Sequence, residues 1–122
     1  MTLGIQIMRP NLNPTEPLTQ VVFIHNYLQL VFQDVGFSIY NNAKLVHNQI
    51  ASLQGSPGFC DALVSLIGQR VVGVAHAKEF PLTLSFENGA QFMVLSGEFG
   101  TRGPEAFQFN GQNNLIVVEQ NA

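Results

Sequence analysis

The chain has 122 residues, 46% of them apolar and only 11% charged, with a formal net charge of −3. That length fits a single domain over residues 1–122, with a core large enough to need no disulfide or structural metal. The basic residues Arg9, Lys44, Arg70, Lys78 and Arg102 form no run that could track a phosphate backbone, so nucleic acid is not an expected partner.

Eleven Asn and eleven Gln take the place of charge on the surface and leave little long-range repulsion between copies. A homo-oligomer or a protein partner is the expected company. The lone Cys60 cannot bridge within the chain and has no zinc-type spacing, which fits a reducing, cytoplasmic setting without metal or cofactor. Met1 to Pro10 lacks a basic stretch followed by a continuous apolar one, and no apolar run approaches the ~18 residues of a membrane span. Neither an export signal nor a membrane partner is expected.

In chain order, Leu3, Ile5 and Ile7 alternate with smaller or polar residues and predict a short edge strand over 3–8. Pro10, Pro14 and Pro17 then impose a surface loop. The runs Val21–His25, Tyr27–Gln33 and Phe37–Tyr40 predict a three-stranded meander, with Leu28, Leu30 and Phe32 on one face and a turn at Asp34-Val35-Gly36. Asn41 to Gln54 admits either a strand or an irregular loop.

Ser56-Pro57 resembles an N-cap with proline at the first helical position, and Phe59, Leu63, Leu66 and Ile67 fall on one side before Gly68 stops the helix. Strands resume over Gln69–His76 and Leu82–Phe86. Asn88-Gly89 predicts a type I′ hairpin answered by Gln91–Leu95, and a second hairpin is expected around Asn110-Gly111, between Ala106–Phe109 and Leu115–Val118. The fold expected is α+β, mostly β: two antiparallel β-meanders forming a sandwich or partly open barrel, with one short helix between them.

The halves read alike. Val21-Val22-x-Ile24 matches Val71-Val72-x-Val74 and Leu28-x-Leu30-x-Phe32 matches Leu82-x-Leu84-x-Phe86, the link being four residues longer in the second half. Duplication of one meander explains this; so does the alternation that any two half-buried hairpins share.

Chemistry-bearing residues are few. His25 and His76 both follow a matched Val-Val run, and a duplicated fold would pair them as a metal or proton site, whereas strand-end histidines need no such role. Arg102-Gly103-Pro104-Glu105 holds Arg102 and Glu105 in defined directions, either for a site or simply as a turn into the next strand. Cys60 reads as a small buried hydrophobe rather than a nucleophile. His25, His76, Arg102 and Glu105 form the candidate polar site; no residue qualifies as catalytic.

The run Leu82–Gly89, followed by Gly103-Pro104-Glu105-Ala106-Phe107 and Ile116–Glu119, resembles a pattern in small bacterial proteins. The resemblance covers the second half of the chain and implies a small bacterial cytoplasmic domain, with no activity, cofactor or catalytic residue to carry over. Two functions are expected. One is a non-catalytic protein-interaction module, homodimeric and immunity- or regulator-like, supported by low charge and surplus aromatics. The other is a small-ligand binder or modest enzyme with a pocket between the meanders.

Overall fold

The computed structural model describes residues 11–121, so the strand expected over 3–8 lies outside the described residues. Ten strands and one helix follow in order: β1 (Leu18–Ile24), β2 (Tyr27–Phe32), β3 (Gly36–Ile39), β4 (Ala43–His47), β5 (Ile50–Leu53), α1 (Phe59–Val64), β6 (Val71–Ala75), β7 (Leu82–Phe86), β8 (Gln91–Val94), β9 (Glu105–Asn110) and β10 (Ile116–Gln120). They form two antiparallel sheets, ordered β1-β2-β3-β9-β10 and β5-β4-β8-β7-β6, that share one buried apolar cluster and do not close into a barrel.

Both expected meanders exist, β1-β2-β3 and β6-β7-β8. Each is completed by a hairpin from the other half of the chain: β9-β10 joins β3, and β4-β5 joins β8. The stretch 41–54 is therefore mostly sheet. Its turn passes through Asn48 and Gln49, both at positive φ, and the β9-β10 turn uses Asn113 and Asn114 in the same way. These are the type I′ turns of the molecule. Asn110 belongs to β9 instead, and the Asn88-Gly89 hairpin is a three-residue loop in which only Gly89 has positive φ, with Gly89 N–H bonded to Phe86 O and Phe86 N–H to Ala90 O. That is a type I turn followed by a left-handed glycine.

Leu28, Leu30, Phe32, Leu82, Leu84 and Phe86 are all buried, as their alternation requires. Each such side chain contributes about 1.5–3 kcal/mol on leaving water. Phe32 and Phe86, at matching places in the two halves, meet with ring centroids 6.5 Å apart and planes inclined by 16°.

Pairing registers define the internal repeat. Leu18 faces Phe32 and Val71 faces Phe86; one extra residue follows in each edge strand, Thr19 and Val72, before Val21 faces Leu30 and Val74 faces Leu84. The equivalent of Val21 is thus Val74 rather than Val71, and the link to the next strand is one residue longer in the second half instead of four. A shared bulge at the same place is a stronger mark of duplication than apolar alternation, because alternation alone does not demand it.

The helix is shorter than its apolar spacing predicts. Gly58, at φ 90°, takes the N-cap position in place of Ser56, and after Val64 the turn tightens to i→i+3 bonds from Leu66 to Leu63 and Ile67 to Val64. Tightening turns Leu66 inward and leaves Ile67 exposed. Gly68, at φ 96°, ends the segment as expected, and its N–H bonds Leu18 O.

Candidate functional site

One pole of the molecule gathers the β6–β7 turn, the β8–β9 connection and the end of β10 around an open cavity of about 600 Å³. His76 lies there, directly after β6. Its Nδ1 sits 3.0 Å from Pro81 O, and because a carbonyl only accepts, Nδ1 is the donor in this bond. The ring also stacks on the buried Phe107 at 6.3 Å and 14°, so its orientation is fixed from two sides. Ser96 Oγ, within 2.9 Å of Lys78 O and 3.1 Å of Glu79 O, ties the turn beyond His76 to the β8–β9 connection.

The floor of this pole is a pair of amides. Asn41, fully buried between β3 and β4, donates from Nδ2 to Leu95 O and to Asn121 Oδ1, each at 2.8 Å. Asn121 returns a bond from its Nδ2 to Asn41 Oδ1 at 2.9 Å and donates to Gly103 O at 2.7 Å, while its backbone N–H meets Pro104 O. A buried amide must find partners for both its oxygen and its nitrogen, and here reciprocal pairing supplies them. The clamp fixes where β10 ends. Gly100 completes it: a Cβ there would lie 2.5 Å from the backbone of Leu95 and Ser96, while its carbonyl accepts the Asn42 N–H.

The four residues of the expected polar site are distributed rather than brought together. His25 is exposed in the β1–β2 turn, and in the repeat Phe23, not His25, stands where His76 does. Arg102 and Glu105 line a separate, smaller concavity of about 190 Å³ with Asn26 and Tyr40. The Gly103-Pro104 step within that tetrad serves the Asn121 clamp through its two carbonyls. Cys60 is exposed, correcting its expected burial: it is turned about 100° around α1 from Phe59 and falls outside the face that Phe59 and Leu63 bury.

At the opposite end, Asp34 Oδ2 accepts the Thr15 N–H at 2.9 Å and the Thr15 hydroxyl at 2.8 Å. Partial burial raises the Asp34 pKa, but the Thr15 bonds outweigh it and hold the carboxyl below its ordinary value. Among the described residues no group of three or more His, Cys, Asp or Glu is arranged to hold a metal ion, and no helix is long and apolar enough to cross a membrane. Comparison with protein-family models, with curated proteins and with solved structures gives no match.

The clearest surface feature is an edge. Ile116 and Val118 are exposed on β10, with the exposed Leu115 just before it, and no charged residue or proline interrupts 111–118. Sheet edges are ordinarily blunted by charge, proline or bulges. β1 and β6 carry the paired bulges, and β5 borders α1. The pairing of β10 with β9 is regular up to its far end, where the register shifts between Glu119 and Gln120. Neither the edge nor the amide clamp was read from sequence; the edge was detectable as an uncharged apolar run, the clamp was not.

Proposed function

We propose that this protein is a non-catalytic interaction module that self-associates by pairing β10 of one copy with β10 of another, in an immunity- or regulator-like role in a bacterial cytoplasm. The observation that carries the reading is the apolar edge of β10, which pairs on one side only among the described residues, with Ile116 59% and Val118 37% exposed. A twofold pairing of this strand satisfies its outward backbone groups and joins the two β10-bearing sheets into one. Low surface charge supports it, since two copies approach with little mutual repulsion.

Sedimentation velocity over a wide concentration range tests the proposal. The expected result is a concentration-dependent dimer that Val118→Lys converts to monomer; a wild-type chain that stays monomeric at every concentration overturns it. The ligand-binding alternative rests on less, because only His76 among its four polar residues borders the larger cavity.

A further inference from the structure

The outward face of the first sheet takes no part in the core or in the amide clamp. Leu28, Leu30 and Phe32 point inward, so Tyr27, Gln29 and Val31 lie outside, and the pairing registers carry that face across all five strands. At the level of Gln29 it reads Val22, Gln29, Ser38, Gln108 and Val118, and the neighbouring row from Val31 through Gly36 and Asn110 to Ile116 is equally without charge. Gln29 Nε2 donates to Ser38 Oγ at 3.2 Å and Gln108 Nε2 to Asn110 Oδ1 at 2.9 Å, while Ser38 is only 5% exposed although it faces out. The long amides therefore lie along the sheet in fixed positions and cover the serine between them.

Two tyrosines stand at one end of this face. Tyr27 and Tyr40, both half-buried, have ring centroids 5.4 Å apart and planes inclined by 46°. Tyr40 also borders the concavity of about 190 Å³ that Asn26, Arg102 and Glu105 line. The Gly103-Pro104 step between those last two is held through its carbonyls by Asn121, so the lining is positioned from the buried clamp. We propose that this end of the face binds a neutral oligosaccharide, with one sugar ring seated in the concavity against Tyr40 and the following rings running over Gln29 and Gln108.

The chemistry of the ligand matches the chemistry of the face. A pyranose has a flank of C–H groups and a rim of hydroxyls that both donate and accept. Aromatic rings pack on the first, and planar side chains with two polar atoms, such as the Arg102 guanidinium, the Glu105 carboxylate and the glutamine amides, span neighbouring hydroxyls on the second. Each glutamine spends one N–H on its protein partner and keeps a second N–H and a carbonyl with which to meet a hydroxyl. A charged polymer gains nothing from rows that hold no counter-charge. A surface built on eleven Asn and eleven Gln instead of ionic groups is therefore suited to an uncharged, hydroxyl-rich partner as well as to close approach between copies.

The test is a titration of the isotope-labelled full chain with cellohexaose, xylohexaose and maltohexaose, and with hexagalacturonate as the charged counterpart, read from amide chemical shifts. At least one neutral chain is expected to give saturable shifts at 26–29, 38–40 and 102–108 while β7 and the β7–β8 turn stay unmoved. Tyr27→Ala should weaken that binding by about tenfold. Gln108→Ala, a change on the outward face, should weaken it by about threefold or more and serves if the tyrosine variant does not fold. No saturable shift with any of the three neutral chains at millimolar concentration overturns the proposal, as do shifts confined to the cavity beside His76 or tighter binding of the uronate than of every neutral chain. The site lies within one chain and can be titrated whether or not sedimentation shows a dimer, so the two readings fail separately.

Discussion

The two halves of this protein share a strand plan, a bulge site and a turn type, yet differ at their poles. The first half closes its open edge with α1 and keeps Phe23 at the end of β1; the second places His76 there, over Phe107, beside an open cavity. Where the halves agree, the residues serve the core. Where they differ, polar groups have been fitted to hold loops: the Asn41–Asn121 amides, the Ser96 hydroxyl and the Gly103-Pro104 carbonyls all lie at the second pole. The shared strand plan thus supplies a frame, and the difference at one end supplies the distinguishing surface.

The sharpest way to challenge this symmetry is to truncate its centre. Phe32→Ala and Phe86→Ala should each destabilise by about 3–5 kcal/mol, and by similar amounts, in chemical denaturation. A double-mutant cycle should find about 0.5–1.5 kcal/mol of coupling between the two rings. A large inequality between the single variants means the halves do not share the core evenly.

Next in size is Asn41→Ala, which removes the donor to Asn121 Oδ1 and Leu95 O. A loss of about 1–3 kcal/mol is expected from the same denaturation measurement. Gly100→Ala should cost a comparable amount, about 1–3 kcal/mol, because the obstruction is backbone that cannot swing aside.

The pH dependence is smaller and belongs to the first half's β2–β3 turn. With the folded pKa of Asp34 below its ordinary 3.8, its contribution is fully present above that value and is lost as pH falls through the folded pKa. Thermal melts at descending pH should show the loss, and Thr15→Ala, which removes the hydroxyl bond, should lessen it. The β7–β8 turn has Asn88 and Gly89 at its tip and contributes no such dependence through them. Smallest of all, Gln49→Gly, at φ 66°, should stabilise by a few tenths of a kcal/mol in the same melts, since glycine tolerates this backbone better than glutamine.

Sequence reasoning located the interior and most strands because burial on one face forces alternation, and Leu28, Leu30, Phe32 and their counterparts display it without interruption. It left β4 and β5 undecided because their turn, Asn48-Gln49, lacks the glycine that usually marks positive φ. It aligned the repeat on Val-Val pairs, which any edge strand can carry, and so slipped by three residues from the observed register. The helix phase failed after Val64, where the backbone tightens and a 3.6-residue spacing ceases to apply. The site was least legible: Asn41 and Asn121 lie 80 residues apart, and no local pattern announces that two amides will face each other in the core.

The exchange of hairpins between the halves has a further consequence for how the chain folds. Neither half owns a finished sheet, since β3 stays an edge until β9 arrives and β8 stays one until β4 lies beside it. A half-length fragment would expose a raw central strand and an uncovered apolar face. The unfolding transition should therefore be all-or-none and the folding rate governed by long loop closures. Two separately expressed halves, neither folded alone, would be expected to complete one another on mixing.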